Sequence, residues 1–444
     1  MKNRSLNRRA FLARSGGVAL LAGGFHVNPL RAADSSSPNE KLNIACVGAG
    51  NKGWHNISQL TSQNIVALCD VDSKYLDKAA QSFPKAAHYR DYRRLLDGSH
   101  KDFDAVVVST ADHTHAPATS IALDLGKHVY CEKPLTHTVA EARAIAQLAA
   151  RRKVATQMGT QVHASNNYRR VVEVIAAGTI GPVAEVYSWC NKGWSGGKYA
   201  APQPAPANLD WDLWLGPAAT HPYSPNIHPA NWRRFWNYGS GTLGDMACHV
   251  MDLPFWALEL RHPQSVRAEG PSPDAVGTPA WTKIEYAFAA RGKHPAARLF
   301  WSDGNEHFDL VKQTRDRSGK PLSSWGLGIL FVGKQGMLAA DYGRLQLLPQ
   351  DKFQDFRPPE PTIPNSIGHW NEWVAACKTG SPTSCNFDYS GALTEAVLLG
   401  AVAYRAGRPL DWDAQRLVAT NCPDAEQYVH KTYRPGFEVV GLKS

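Results

Sequence analysis

The sequence predicts a two-domain α/β protein: an N-terminal parallel sheet with helices on both faces, then an α+β domain built on a large, open, mostly antiparallel sheet. Three observations carry this prediction. Short apolar runs alternate with helix-period segments between residues 41 and 160. A glycine turn follows the first of those runs. Beyond residue 160, strand-like runs return at 183–189, 265–268, 282–289, 297–301, 328–333 and 336–340 without regular intervening helices, which is how meandering antiparallel strands read. At 444 residues, 43% hydrophobic and 20% charged, the chain is too apolar for disorder and long enough for two cores.

The formal charge of +9 invites a nucleic-acid or anionic-membrane partner. Its location argues against that. Lys2, Arg4, Arg8, Arg9, Arg14 and Arg31 fall within residues 1–33, which hold no acid, and removing them leaves a chain near +3. In the same segment Asn7-Arg8-Arg9-Ala10-Phe11-Leu12 precedes a weakly apolar stretch from 16 to 25 and small residues around Ala32-Ala33. This order resembles a twin-arginine export signal, with residues 34–40 as a short linker. The apolar stretch is about half the ~20 residues that a membrane span needs. The expectation is therefore an exported, periplasmic protein, handed folded to the twin-arginine machinery and without stable membrane insertion. The eight cysteines form no CxxC pair, and Cys46, Cys69 and Cys131 sit inside apolar runs, so buried free thiols are expected.

Taken in order, the first half reads as strand 41–47, a glycine turn, helix 55–60, strand 65–70, helix 78–83, strand 86–89, helix 92–96, strand 103–110, helix 118–125, strand 128–131, helix 141–152 and strand 154–158. The turn is Gly48-Ala49-Gly50-Asn51-Lys52-Gly53. Its glycines let the backbone approach a pyrophosphate, which the free N–H groups of the next helix attract. Asp70, about twenty residues on, closes the second strand, where a carboxylate accepts from a ribose diol. Together these predict a Rossmann domain over residues 41–160. NAD is preferred to NADP, because Asp70 repels a 2′-phosphate. Gly48 to Gly53, Asp70, Thr110 to His115 (including His113), Glu132, Lys133 and His163 all fall at carboxyl ends of strands, where ligands bind in such sheets.

Three further segments give the chain a close resemblance to the Gfo/Idh/MocA family: Thr110-Ala111-Asp112-His113-Thr114-His115-Ala116-Pro117, Glu132-Lys133-Pro134, and Gly239-Ser240-Gly241-Thr242-Leu243-Gly244-Asp245-Met246-Ala247-Cys248-His249. The resemblance spans about residues 41–440 and implies a nicotinamide-dependent oxidoreductase. Lys133, Asp245 and His249 are the implied catalytic group, which also contacts substrate. Asp245 and His249 lie one helical turn apart and share a face. Oxidising an alcohol needs a base of suitable pKa, which histidine supplies, while an ammonium stabilises the developing alkoxide. His249 is the expected base and Lys133 the stabilising cation, although Lys133 as proton acceptor stays open at this level.

Residues 161–444 are expected to bind substrate and to mediate assembly. The aromatic stretch from Trp194 to Trp236 suits a carbohydrate, or equally an ordinary core. Trp232 and Arg233 resemble a family position near the nicotinamide, and His163 is a further substrate candidate. No metal-ligand spacing is visible. Helices are expected at 168–177, 369–378 and 389–406, with 408–444 as an irregular strap.

The implied reaction moves a hydride between tightly bound cofactor and a secondary hydroxyl of a sugar, glycoside or cyclitol, the C3 hydroxyl being one candidate. Because a periplasm offers little free dinucleotide, a closed cycle with a second sugar-like molecule is expected. The alternative is NAD-dependent glycoside hydrolysis by transient C3 oxidation, elimination and water addition. The family's α-N-acetylgalactosaminidase branch, as the resemblance implies, does not keep the Glu-Lys-Pro lysine, so Lys133 argues against close membership. A homodimer or homotetramer is expected from the resemblance.

Overall fold

The computed structural model describes residues 41–442. The expected signal at 1–33 and the linker at 34–40 lie outside the described residues.

Six strands form the first sheet: β1 (Asn43–Val47), β2 (Asn64–Cys69), β3 (Ala87–Tyr89), β4 (Ala105–Val108), β5 (His128–Cys131) and β6 (Thr156–Met158). All pair in parallel, in the order β3-β2-β1-β4-β5-β6. Strand β4 reads Ala-Val-Val-Val and is buried at every residue, because helices cover both faces of a parallel sheet. The order changes direction between β1 and β4, which opens a crevice beyond their carboxyl ends.

The second sheet has nine strands: β7 (Val183–Cys190), β8 (Ser265–Glu269), β9 (Lys283–Phe288), β10 (Ala297–Asp303), β11 (Leu327–Gly333), β12 (Gly336–Ala340), β13 (Leu345–Leu348), β14 (Leu410–Asp413) and β15 (Val418–Ala419). They run β13-β12-β11-β7-β10-β9-β8-β14-β15, antiparallel except for the β7–β10 pair. Ile284, Tyr286, Leu299, Ile329 and Phe331 share a core with helices Gly241–Val250 and Phe387–Ala406. On the other face Val311, Leu322 and Trp325 cover Trp189, Leu330 and Ala339.

Three features depart from the sequence reading. Helix Asp112–Asp124 starts six residues before the expected 118, with Pro117 inside it. Proline has no N–H for the carbonyl four residues back. That carbonyl, on His113, instead accepts from Lys431 Nζ at 3.1 Å, so the early start leaves no orphan. Strands β13, β14 and β15 were not expected, and the last two show that the 408–444 strap begins by extending the second sheet. Finally, helix His369–Thr379 belongs to the first core: Trp373, fully buried, packs with Ile44, Cys46, Leu68 and Tyr130. All eight cysteines are free, seven of them buried.

Trp373→Ala empties a large site beneath the first sheet and is expected to cost about 3–5 kcal/mol, read from the midpoint of chemical denaturation. An equal loss in cofactor-domain and whole-chain probes would show the helix to be integral to that core.

Candidate active site

The crevice is built on the glycine turn. Gly48 has a φ of +92°, and a Cβ there would stand 2.5 Å from the Ser109 carbonyl oxygen, so β1 and β4 meet too closely for any other residue. Helix Lys52–Gln59 opens without a side-chain cap at Asn51, which leaves its N-terminus to an outside anion. Asp70 accepts from the amides of Ala49 at 2.8 Å and Gly50 at 3.2 Å, and so fixes the turn from the end of β2. Burial raises its pKa, against those hydrogen bonds. Its neighbour Asp72 is committed elsewhere, capping helix Ser73–Ser82. The uncapped helix, the close backbone turn and the ribose-side carboxylate together fit a nicotinamide dinucleotide.

Glu132 ties this turn to the chemistry. Its Oε1 accepts from Asn56 Nδ2 at 3.0 Å and Gln161 Nε2 at 2.9 Å, Lys52 Nζ lies 3.8 Å away, and Oε2 takes the amide of Lys133. Gly159 permits this, since a Cβ there would meet the Glu132 carboxylate at 2.6 Å. His115 bonds the carbonyls of Pro134 and Thr110 with its two ring nitrogens. Glu132 and His115 therefore hold Lys133 in place.

Asp245 is the centre of charge. Lys133 Nζ bonds its Oδ1 and its backbone carbonyl, each at 2.8 Å. Arg233 Nε reaches Oδ1 at 3.1 Å, while Lys192 Nζ and Trp194 Nε1 reach Oδ2 at 2.8 and 2.7 Å. Burial opposes the Asp245 charge, but Lys133 and Arg233 outweigh it and hold the carboxyl well below its usual range. Burial likewise opposes the Lys133 charge, and Asp245 overrides it, so the lysine stays protonated. His249, one turn along, is held neutral: burial and the Lys133 charge push its pKa well down, and its Nδ1 has no partner. At neutral pH His249 is therefore the uncharged member of the pair and Lys133 the charged one.

Asp112 completes the cluster and was not singled out from the sequence. It opens helix Asp112–Asp124, is 4% exposed, and burial pushes its pKa up to about 7 although Arg233 and Lys133 pull the other way. The signal was its place at the first helical position after β4, inside a motif whose histidines drew attention first.

Several expected contacts resolve differently. His113 is 1% exposed and bonds the Trp214 carbonyl, facing away from the turn. Trp232 is buried in a small core with Leu209, Trp214, Phe235 and Tyr238, and the Arg233 guanidinium lies 4.2 Å over its ring. Trp232 is 6% exposed, and one side of its ring is taken by Arg233. His163, also 1% exposed, bonds Asp252 through Nδ1 at 2.9 Å and stacks on Trp256. Cys385 stands beside this pair, with possible ligand atoms of all three within 4.8 Å. Tyr389 donates to the same carboxylate at 2.7 Å, so His163, Asp252 and Tyr389 form a hydrogen-bonded network, and burial raises the pKa of the neighbouring Cys385 thiol.

The aromatic stretch is a strap rather than an open sugar platform. Its segment around Asn208 docks along the end of β2: Ser73 donates to the Asn208 carbonyl at 2.8 Å and Asp210 to the Val71 carbonyl at 3.0 Å. Asn208 Nδ2 and His228 Nε2 hold Asp72 at 2.7 and 3.1 Å.

Folded Asp112 keeps its proton up to about pH 7, while the unfolded chain releases it near 3.8. Folding therefore takes up a proton between those values, and stability falls as pH rises through that window. Asp112→Asn is expected to raise the melting temperature at pH 8 and to change it little at pH 4. A shift of equal size at both values would place the residue outside this cluster.

Two family descriptions match the chain: an oxidoreductase family NAD-binding Rossmann fold over residues 42–160, and an oxidoreductase family C-terminal alpha/beta domain over 172–294. Among curated proteins, the α-N-acetylgalactosaminidase of Shewanella oneidensis is 28% identical over 204 residues, 40% of this chain and 44% of that protein. The chain thus matches less than half the length of that relative. Among solved structures, GenD2 from gentamicin A biosynthesis in complex with NAD superposes with a TM-score of 0.58 at 20% identity, covering 84% of this chain and 97% of that one. The WlbA dehydrogenase of Bordetella pertussis, in complex with NADH and UDP-GlcNAcA, gives 0.57 at 16% identity, over 84% and 99%. With a glycine turn, a Glu-Lys-Pro step and an Asp245–His249 helix in one crevice, and both domains matched, this chain belongs to the Gfo/Idh/MocA oxidoreductase family.

Proposed function

We propose that this protein oxidises or reduces a secondary hydroxyl of a sugar, glycoside or cyclitol outside the cytoplasm, using NAD that it retains between turnovers. The observation that carries the reading is the protonated Lys133 held 2.8 Å from Asp245, with neutral His249 one turn away. A dinucleotide held by the glycine turn and Asp70 would supply the hydride acceptor and donor for the carbinol carbon. His249 takes the hydroxyl proton at a ring nitrogen. Two of the three Lys133 N–H groups go to Asp245, which leaves one for the developing alkoxide. Asp245 offsets the charge gained by His249, and Asp112, near pH 7, is a second group able to hold that proton. Asp70 supports NAD over NADP.

Retention is supported by the strap, which bonds Val71, Asp72 and Ser73 just past the ribose-side carboxylate, so the dinucleotide leaves only after those bonds open. The export reading rests on the order of residues 7–33.

The similarity to an α-N-acetylgalactosaminidase favours a second reading, redox-neutral glycoside hydrolysis through transient oxidation. One experiment separates the two. Small molecules released on denaturing the protein are identified by mass spectrometry, and the native protein is then given a glycoside panel while absorbance near 340 nm and products are followed. NAD(H) with a keto-sugar supports net oxidation, and free monosaccharide without net reduction supports hydrolysis. A preparation that is empty and cannot be reloaded overturns both.

Lys133→Met is expected to lower turnover by about 10²–10³-fold with bound dinucleotide retained. Replacing Asn208 and His228 together with alanine is expected to speed cofactor loss about tenfold, measured by dilution and fluorescence, with chemistry in preloaded enzyme nearly unchanged.

A further inference from the structure

A cavity of about 270 Å³ lies behind the crevice, between the first turn of helix Asp112–Asp124, helix Phe387–Ala406 and residues 427–432 of the C-terminal strap. We propose that this cavity is a second binding site, for a small polyhydroxylated anion: a sugar acid or a sugar phosphate.

The lining combines apolar side chains such as Val139, Leu398 and Val402 with basic and neutral polar groups, and includes no Asp or Glu. Arg405 is the strongest indication. Its guanidinium is held against the rings of Tyr428 at 4.1 Å and Trp236 at 5.1 Å, and it has no carboxylate partner among the described residues. Five N–H donors on a half-buried cation without a counter-charge are costly, and the planar fork matches a carboxylate or phosphate. Burial lowers the Arg405 pKa, the Tyr428 ring opposing it only in part. Lys431 adds a second positive charge, offset in part by Glu141 at 2.7 Å. His430 pairs with Glu426 at the rim.

Two buried histidines complete the wall. His113, 1% exposed, and His137 both line the cavity; burial holds both rings neutral, and their nearest partners are backbone carbonyls, of Trp214 and Tyr238 for His113 and of Gly239 and Trp236 for His137. Neutral imidazoles add polar lining without charge, so the charge in the cavity comes from Arg405 and Lys431. Ser240, Asn237 and Gln427 supply further groups of the kind that bind hydroxyls. The volume suits a six-carbon acid better than a bare oxyanion, which would leave most of it unfilled.

This site is distinct from the catalytic cluster. Asp112 stands among the charges of Lys133, Arg233 and Asp245, whereas the adjacent His113 faces the cavity. Ser240 touches both regions, since it precedes the helix that carries Asp245 and His249.

The test is calorimetry and thermal unfolding of the full chain with gluconate, glucose 6-phosphate and inorganic phosphate, against glucose and potassium chloride at equal ionic strength. At least one polyol anion is expected to bind with a Kd below about 1 mM and to raise the unfolding midpoint by about 2 °C at ten times Kd. Preference for gluconate assigns a sugar acid, and preference for glucose 6-phosphate assigns a sugar phosphate. Arg405→Gln is expected to weaken binding at least about tenfold, and Lys133→Gln to leave it unchanged. Should Arg405→Gln not fold, Gln427→Trp at the exposed rim obstructs the cavity and is expected to abolish binding. The proposal is overturned if no anion exceeds chloride, if inorganic phosphate binds as tightly as both polyol anions, or if Lys133→Gln rather than Arg405→Gln removes binding.

Discussion

The Asp245 carboxylate is the constraint on which the site depends. It gathers Lys133 from the end of β5, Lys192 from just beyond β7, and Arg233 and Trp194 from the aromatic strap. Two sheets and a long loop therefore meet at one pair of oxygens. Breaking a buried pair by removing one partner leaves an uncompensated charge worth several kcal/mol, and here three cations share the partner. The arrangement fixes protonation as well as position: the same carboxylate that keeps Lys133 charged sits one turn from a histidine that burial, aided by the Lys133 charge, keeps neutral. An acid-side and a base-side group thus coexist at neutral pH without either being tuned separately.

Around this centre, polar residues act mainly by holding others. Glu132 joins the glycine-turn helix, through Asn56, to the Lys133 backbone, and His115 pins the end of β4 to the step after β5. Mobility here would blur the spacing between a hydride donor and its acceptor, and reaction rates are sensitive to displacements of about 1 Å. The strap extends the same logic to the far end of the groove. Its aromatic rings form a small core against which Val71 packs, while its backbone and polar groups bond the residues just past β2.

The first sheet was legible in the sequence because its strands are apolar on both faces and its glycine turn admits few other readings. The Asp245–His249 pair was legible through its one-turn spacing. Other features were hidden for identifiable reasons. Helix Asp112–Asp124 begins early because Lys431, more than three hundred residues away, satisfies the carbonyl that Pro117 leaves open. Asp112 reads as an ordinary helix-start acid, and only burial among distant charges makes it titrate near neutrality. Trp232 and His163 share the residue types of a ligand site, yet the chain surrounds each with its own packing. Strands β13 to β15 are short, and pairing with neighbours rather than local propensity defines them.

The placement of helix His369–Thr379 bears on how relatives of this chain can exchange parts. Sequence order puts it more than two hundred residues after the last strand of the first sheet, yet its Trp373 lies against β1 and β5. A chimera joined near residue 160 would therefore unite one parent's sheet with the other parent's cover. Recombination that carries residues 369–379 along with 41–160 keeps both halves of that core from one source, so the heritable unit for nucleotide binding is discontinuous in the gene.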